Sequence, residues 1–195
     1  IVGYWKFDEG SGITAIDSSG NSNTGTINGP AYTPGKIGTA LNFNGVSNYV
    51  DIPYSTSLNL PGTDESVFLW LKPNGDNIFV QTDGWYRRLW LQDPGDGYHF
   101  ILKLKDTSDN EYTLQSIVYP LNQWYLVGYT ISGSTAKLYV NGALQQQVAL
   151  SNPIRPFSMG DWWFGRTCRG DCNNFYNGVI DEIRILKIGR SMTTS

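Results

Sequence analysis

Histidine, cysteine and charge are all scarce in this sequence, and each shortage removes a class of function. There is one histidine, His99. A serine or cysteine nucleophile normally needs an imidazole base, and a lone strand histidine reads as a solvated surface residue. The two cysteines, Cys168 and Cys172, stand in "GRTCRGDCNNF" with three residues between them. Zinc takes about four soft or imidazole ligands, which two cysteines without a nearby histidine do not supply. A redox dithiol is usually Cys-x-x-Cys at a helix start, and neither the spacing nor the context fits. A short structural disulfide is the plain reading and suits an exported protein. Charged residues make up 16% of the chain and the net charge is -3. Lysines and arginines are scattered, with Arg87-Arg88 as the basic doublet, so there is no clustered basic face for a nucleic acid. No apolar run approaches the ~18 residues of a membrane helix.

What the chain has instead is aromatic residues and glycine. Seven Trp, twelve Tyr and 22 Gly fall within 195 residues, and 40% of the chain is hydrophobic. That is enough to build a large core with rings left over for a surface, and too apolar for disorder. No amphipathic helix is evident. Short β-branched and aromatic runs recur between Gly, Asn, Asp and Pro, which predicts strands at 67–73, 86–92, 98–106, 111–119, 124–132, 136–142 and 178–186. Asn141-Gly142 predicts a tight hairpin, and 93–97 and 131–135 predict further turns. Alternation puts Leu89 and Leu91 on one face with Trp85 and Arg87, and Tyr86, Arg88 and Trp90 on the other. In 98–104, Tyr98, Phe100, Leu102 and Leu104 share the core face, opposite His99, Ile101 and Lys103. No repeat or linker divides the chain. The expectation is one domain, 1–195. It starts directly in strand-like sequence and ends in "GRSMTTS", as a piece cut from a longer exported protein would.

The N-terminal third carries a recognisable pattern: Trp5, Phe7-Asp8-Glu9, Gly12, then Asp17, Ser19-Gly20, then Gly35, Gly38, Ala40-Leu41, Phe43, Gly45 and Tyr49-Val50. With "FLWLKP" at 68–73, "KLYVNG" at 137–142 and "GVIDEIRIL" at 178–186, the chain resembles the laminin G-like, concanavalin A-like jelly-roll domains of secreted proteins. The resemblance implies an all-β, two-sheet antiparallel jelly-roll β-sandwich, often with a structural calcium. It also implies a carbohydrate-binding or adhesion module, extracellular or at the cell surface and attached to other domains. The likeness fades from Asp76 to Tyr98 and from Pro153 to Asn177, where this chain's own task is expected to lie.

Related jelly rolls include β-glucanases, which carry two carboxylates across the glycosidic bond. The four glutamates here, Glu9, Glu65, Glu111 and Glu182, do not form their Glu-x-Asp-x-Glu strand pattern, and adjacent Asp181 and Glu182 are expected on opposite faces. A glycoside hydrolase is therefore the weaker alternative, as is a purely structural or adhesive protein-interaction domain. Asp181 lies in the segment resembling the family's calcium aspartate, and Asp17 lies in a carbonyl-rich turn, so the two are expected to converge on calcium with carbonyls near Asn44-Gly45. For an oligo- or polysaccharide, the candidate site is an aromatic and polar platform: Tyr86, Arg88, Trp90, Trp163, Arg166 and Asn173. Of Trp162 and Trp163 one must face outward. Trp5, Trp70 and Trp124 are expected in the core. Cys168–Cys172 would pin a loop at the rim of this platform. The enclosed Arg169-Gly170-Asp171 is an adhesive tripeptide, but it recurs by chance and nothing else points to an animal-cell partner.

Overall fold

Two large antiparallel sheets and a small two-stranded one, Arg166–Thr167 with Asn174–Phe175, form in the computed structural model, which describes residues 1–82, 86–157, 160–167 and 174–188. The first runs in the order Ala143–Ala149, Thr135–Val140, Tyr125–Ser132, Asp64–Pro73, Asn177–Leu186, Thr39–Asn44 and Ala31–Pro34, with Gly3–Trp5 also paired to Asn177–Leu186. The second runs Glu111–Val118, His99–Lys105, Arg87–Gln92, Asn77–Thr82, Trp162–Phe164, Tyr49–Ile52, Gly25–Asn28 and Thr14–Ala15. Among the described residues the one helical element is a short 3-10 turn, Thr56–Leu58. The expected all-β, two-sheet jelly-roll β-sandwich is what forms. The Asn141-Gly142 hairpin has φ of 51° and 80°, the pair of positive values a type I′ turn requires.

Alternation decides which side chains meet between the sheets. Val67, Leu69, Leu71, Val127, Ile131, Leu41 and Phe43 of the first sheet pack on Leu89, Leu91, Phe100, Leu102, Leu104, Val50 and Phe164 of the second. Trp5 lies at the centre, its ring 5.4 Å from that of Phe164 and its indole N–H donated to the Asn23 carbonyl at 2.9 Å. Trp70 and Trp124 depart from expectation, since both are half-buried. Trp70 takes the outward position of its strand, where the Lys36 ammonium covers the ring at 4.7 Å. His99 departs in the other direction. It sits on the outward side of its strand but is buried, with Nδ1 2.7 Å from the Ser116 carbonyl and Nε2 3.0 Å from Asp96 Oδ1. Those contacts, the Ser116 carbonyl foremost, hold its pKa above the ordinary value.

Arg87 reaches the core face as its strand register dictates, and its charge is met there. Its guanidinium forms a two-pronged pair with Glu65 of the facing sheet, Nε to Oε1 and Nη2 to Oε2 at 2.7 Å. Arg87 and Glu65 are both buried. The Tyr129 hydroxyl donates to Glu65 Oε1 at 3.2 Å, the Gly62 N–H to Oε2 at 3.2 Å, and Arg87 Nη1 to the Arg155 carbonyl at 2.8 Å. The network links the two sheets through polar groups whose donors and acceptors are matched, which is the condition under which a buried ion pair is tolerated.

At one flank the sheets meet edge to edge. The outer strand Glu111–Val118 pairs on one side with His99–Lys105. On its open side, the Gln115 N–H donates to Gln146 Oε1 at 2.6 Å and the Ile117 N–H to Gln145 Oε1 at 3.3 Å, both from the outer strand of the first sheet.

Because removing one member strands the other charge in the core, Glu65→Leu or Arg87→Met alone is expected to cost about 3–5 kcal/mol. The double replacement Glu65→Leu/Arg87→Met is expected to cost less than the sum of the single changes, as measured by urea unfolding of all variants. Additive losses would show that the two groups do not act as a pair.

Candidate functional site

The outward face of the second sheet is assembled by strand register. Cross-strand pairing runs Thr26, Asp51, Trp163, Gln81, Arg88, Lys103 and Thr113, one residue from each successive strand. With strands ~4.8 Å apart, Trp163 and Arg88 stand roughly 10 Å from each other along this row. Trp90 occupies the next outward position on the Arg88 strand, opposite Ile101. Tyr86 lies two residues before Arg88. Trp162 is buried, its ring 5.5 Å from Phe157, while its neighbour Trp163 is half-buried and outward. The alternation expected of that pair is the one observed.

Five of the residues expected to bind a ligand thus share one face: Tyr86, Arg88, Trp90, Trp163 and Arg166. Asn173, Cys168 and Cys172 lie outside the described residues. Each outward ring is matched with a guanidinium. Arg155 lies 5.3 Å from the Tyr86 ring centroid, Arg88 5.6 Å from Trp90, and Arg166 3.7 Å from Tyr49 and 5.0 Å from Trp163. Such stacking fixes both partners; Arg155 is held further by Nε donating to the Asp106 carbonyl at 3.1 Å and Nη2 pairing with Asp109 at 2.8 Å.

Tyr49, Asp51 and Asp161 were not among the residues expected from sequence. The signal was there: Tyr49-Val50-Asp51-Ile52 alternates polar with apolar, but Tyr49-Val50 served as a family landmark. The Asp51 carboxyl lies across from Trp163. Burial raises its pKa, and the nearby Asp161 charge raises it further. The Trp163 N–H and the Arg166 charge oppose that rise, yet the indole closes no well-formed hydrogen bond. Asp51 Oδ1, Trp163 Nε1 and Arg166 Nε are all shielded from solvent without a hydrogen-bond partner. Asp161 Oδ1 accepts the Tyr54 N–H at 2.8 Å.

The two aspartates expected to share calcium have different surroundings. Asp17 Oδ1 accepts from Tyr4 N at 2.9 Å and Ser19 N at 2.8 Å, and Oδ2 from Ser19 Oγ at 2.8 Å and Asn23 N at 2.9 Å. Those donors outweigh the burial that would raise its pKa and hold it low. Its acceptor capacity is spent on its own turn and the first strand, a poor fit to a metal ligand. Asp181 fits better. Its Oδ2 accepts the Lys36 and Ile37 N–H groups at 2.9 and 3.0 Å, while Oδ1 is buried without a partner. The Gly35 to Gly38 loop wraps this carboxyl so closely that a Cβ on Gly35 would stand 2.7 Å from Oδ2. Burial first, then the charges of Glu182 and Asp8, push Asp181 up to about 6. Among the described residues no three acidic, histidine or cysteine side chains gather as a metal cluster. Any cation at Asp181 would therefore draw chiefly on backbone oxygens.

Asp181 and Glu182 do not simply alternate. A register shift between Asp181 and Arg184, with Glu182 at φ 55°, buries both carboxyls. Glu182 there accepts from the Tyr4 hydroxyl at 2.5 Å and pairs with Arg184.

Residues 44–194 match the concanavalin A-like lectin/glucanases superfamily, and the chain belongs to that family. The match begins at Asn44, so the N-terminal landmarks from Trp5 to Phe43 lie outside it, while Gly45 and Tyr49-Val50 lie within it. No curated protein matches in sequence. Among solved structures, the chain is similar to domain 4 of AbnA, a GH43 extracellular arabinanase from Geobacillus stearothermophilus, solved in complex with arabinotriose. Identity is 22% and the TM-score 0.70, over 98% of this chain and 93% of that one. It is also similar to the binding domain of Paraclostridial Mosquitocidal Protein 1, with 15% identity and a TM-score of 0.77 over 98% of this chain and 49% of that one. The binding domain of botulinum neurotoxin serotype G gives 18%, 0.70, 98% and 48%. The chain spans about half the length of these two toxin domains. At such identities the likeness is one of fold.

Asp181 has a folded pKa above its ordinary 3.8, at about 6. The native state therefore holds this proton more tightly than the unfolded chain, and the stability it gives below 3.8 is lost as pH rises through about 6. In chelator, Asp181→Asn is expected to flatten that decline and to exceed the parent by roughly 1–3 kcal/mol above the folded pKa, read from melting or urea curves across pH. Parallel profiles for the two proteins would contradict the assignment.

Proposed function

We propose that this chain is a non-catalytic carbohydrate-binding module of an exported protein, and that it holds an oligo- or polysaccharide across the outward face of the second sheet. The observation that carries this reading is the register that lines up Trp163, Arg88 and Trp90 on one face, each ring matched with a guanidinium. Sugars present C–H patches to aromatic rings and hydroxyls to fixed donors, and this face offers both at a spacing set by the sheet. Tyr86, Trp90 and Trp163 supply ring contacts. Arg88 and Arg166 supply polar ones, joined by Asn173 from outside the described residues. The arabinanase domain that shares this fold was solved in complex with arabinotriose and belongs to an extracellular enzyme, which supports both the ligand class and an extracellular or cell-surface location. Cys168 and Cys172 would form a disulfide in that compartment.

The Asp161 charge helps to raise the Asp51 pKa, but Asp161 secures the Tyr54 turn, and incubation with a bound glycan should release no new reducing ends. Calcium, if held, sits at Asp181 rather than between Asp17 and Asp181. Added calcium should then raise the melting temperature of the parent protein and leave Asp181→Asn unchanged; an equal rise in both would reject that site.

A glycan array followed by affinity electrophoresis tests the main proposal. Trp90→Ala and Trp163→Ala are each expected to weaken binding about tenfold or more, with melting temperatures near the parent's, since aromatic anchors dominate such surfaces. Binding untouched by both changes would overturn the site, and no binding to any glycan would overturn the function. The latter outcome would favour a protein-binding module, whose natural surface is the first sheet's outward face, where Phe68, Trp70 and Leu126 are half-buried and Leu144 is 48% exposed.

A further inference from the structure

Within this face, one cluster has unmet hydrogen-bonding capacity of both signs. Asp51 Oδ1 is an acceptor without a donor, while Trp163 Nε1 and Arg166 Nε are donors without acceptors. Their positions are fixed from three sides. Asp51 and Trp163 are directly paired across adjacent strands. Arg166 begins the short strand that follows Trp162–Phe164, and its guanidinium lies between the rings of Tyr49 and Trp163. Asp161, which raises the Asp51 pKa by its charge, adds a second negative group. Shielded polar atoms are ordinarily partnered, so three grouped around Trp163 mark a place where a ligand can supply what the protein lacks.

The required ligand follows from the inventory of donors and acceptors. A hydroxyl group accepts and donates at once. Two adjacent hydroxyls on one sugar ring accept from the Trp163 indole and the Arg166 guanidinium and donate to the Asp51 carboxylate, leaving none of the three unmet. A carboxylate, sulfate or phosphate brings acceptors alone: it serves the two donors but faces Asp51 and Asp161, a like-charge arrangement that selects against a ligand. A bare metal cation meets the opposite conflict with Arg166. We infer that Tyr49, Asp51, Trp163 and Arg166 form the specificity-determining subsite of this face, taking the edge of a neutral sugar with two adjacent free hydroxyls and rejecting acidic glycans. This inference rests on the carbohydrate-binding reading above and adds to it the class of sugar and the residue that selects it.

Isothermal titration with two sets of probes tests it: arabino-, xylo-, cello- and laminari-oligosaccharides as neutral ligands, and oligogalacturonate and chondroitin sulfate fragments as acidic ones. The parent protein is expected to bind at least one neutral probe and neither acidic one. Asp51→Ala is expected to weaken the neutral ligand about tenfold or more, the loss of a hydrogen bond to a charged group. Asp51→Asn, which keeps the size and removes the charge, is expected to gain measurable affinity for the acidic probes. Melting curves establish that both variants fold, and Asp51→Asn serves alone if Asp51→Ala does not. Preference of the parent for acidic probes overturns the inference while leaving the module a sugar binder. Neutral binding that Trp90→Ala weakens and neither Asp51 variant alters does the same. Absence of binding to every probe removes the carbohydrate reading itself.

Discussion

Glu65 and Arg87 join the two halves of the sandwich through a buried charge pair, and the rest of the arrangement depends on that join. A sandwich held by apolar contact alone can slide, because hydrophobic attraction has no direction. The two-pronged contact has direction, and the Tyr129 hydroxyl, the Gly62 N–H and the Arg155 carbonyl surround it with matched partners. It also sets the facing of its own strand. With Arg87 held inward, Arg88 must point out, and Tyr86 and Trp90 with it. The outward face of the second sheet is thus fixed by a polar contact on its inward side.

That face is made of rings and guanidinium groups rather than of bare aromatic platforms. Arg155, Arg88 and Arg166 each lie over a ring, so the surface is stiff and its donors point in fixed directions. Rigid donors cost little ordering on binding, and they also discriminate, because a ligand must match their positions. At the Asp51 end an acceptor stands beside the donors of Trp163 and Arg166, the pairing on which the proposed hydroxyl recognition rests. At the Arg88 and Lys103 end the charge is positive, though Glu111 is paired with Lys103 at 2.5 Å.

The sequence made the fold and much of this face legible, for definite reasons. Leu89, Leu91, Phe100, Leu102 and Leu104 alternate cleanly, and a period of two leaves little freedom in a strand buried on one side. The Trp162-Trp163 pair had to split between core and surface, and it does. Legibility ended where a partner far along the chain decides the outcome. Burial of Arg87 depends on Glu65, 22 residues away, and burial of His99 depends on Ser116 and Asp96. Trp70 is outward because its strand register puts it there, and hydrophobicity alone gave no warning. Asp17 looked like a calcium ligand because a carbonyl-rich turn surrounds it, yet that turn uses its carboxylate itself. Asp51 became conspicuous only once Trp163, Arg166 and Asp161, more than a hundred residues later, were brought beside it.

The flank where Gln145 and Gln146 reach over to the Ile117 and Gln115 N–H groups has a consequence for what can join the sheet there. An open strand edge is an invitation to foreign backbone, and two amide carbonyls occupy it here as a further strand would. They do so without adding a strand that would itself need covering. Ile117, although 68% exposed, therefore sits on a strand whose neighbouring donors are already taken. Foreign backbone arriving at this flank meets side chains at these two positions and not open donors. Seams of this kind let a β-rich cassette be joined to other β-rich cassettes without their sheets fusing.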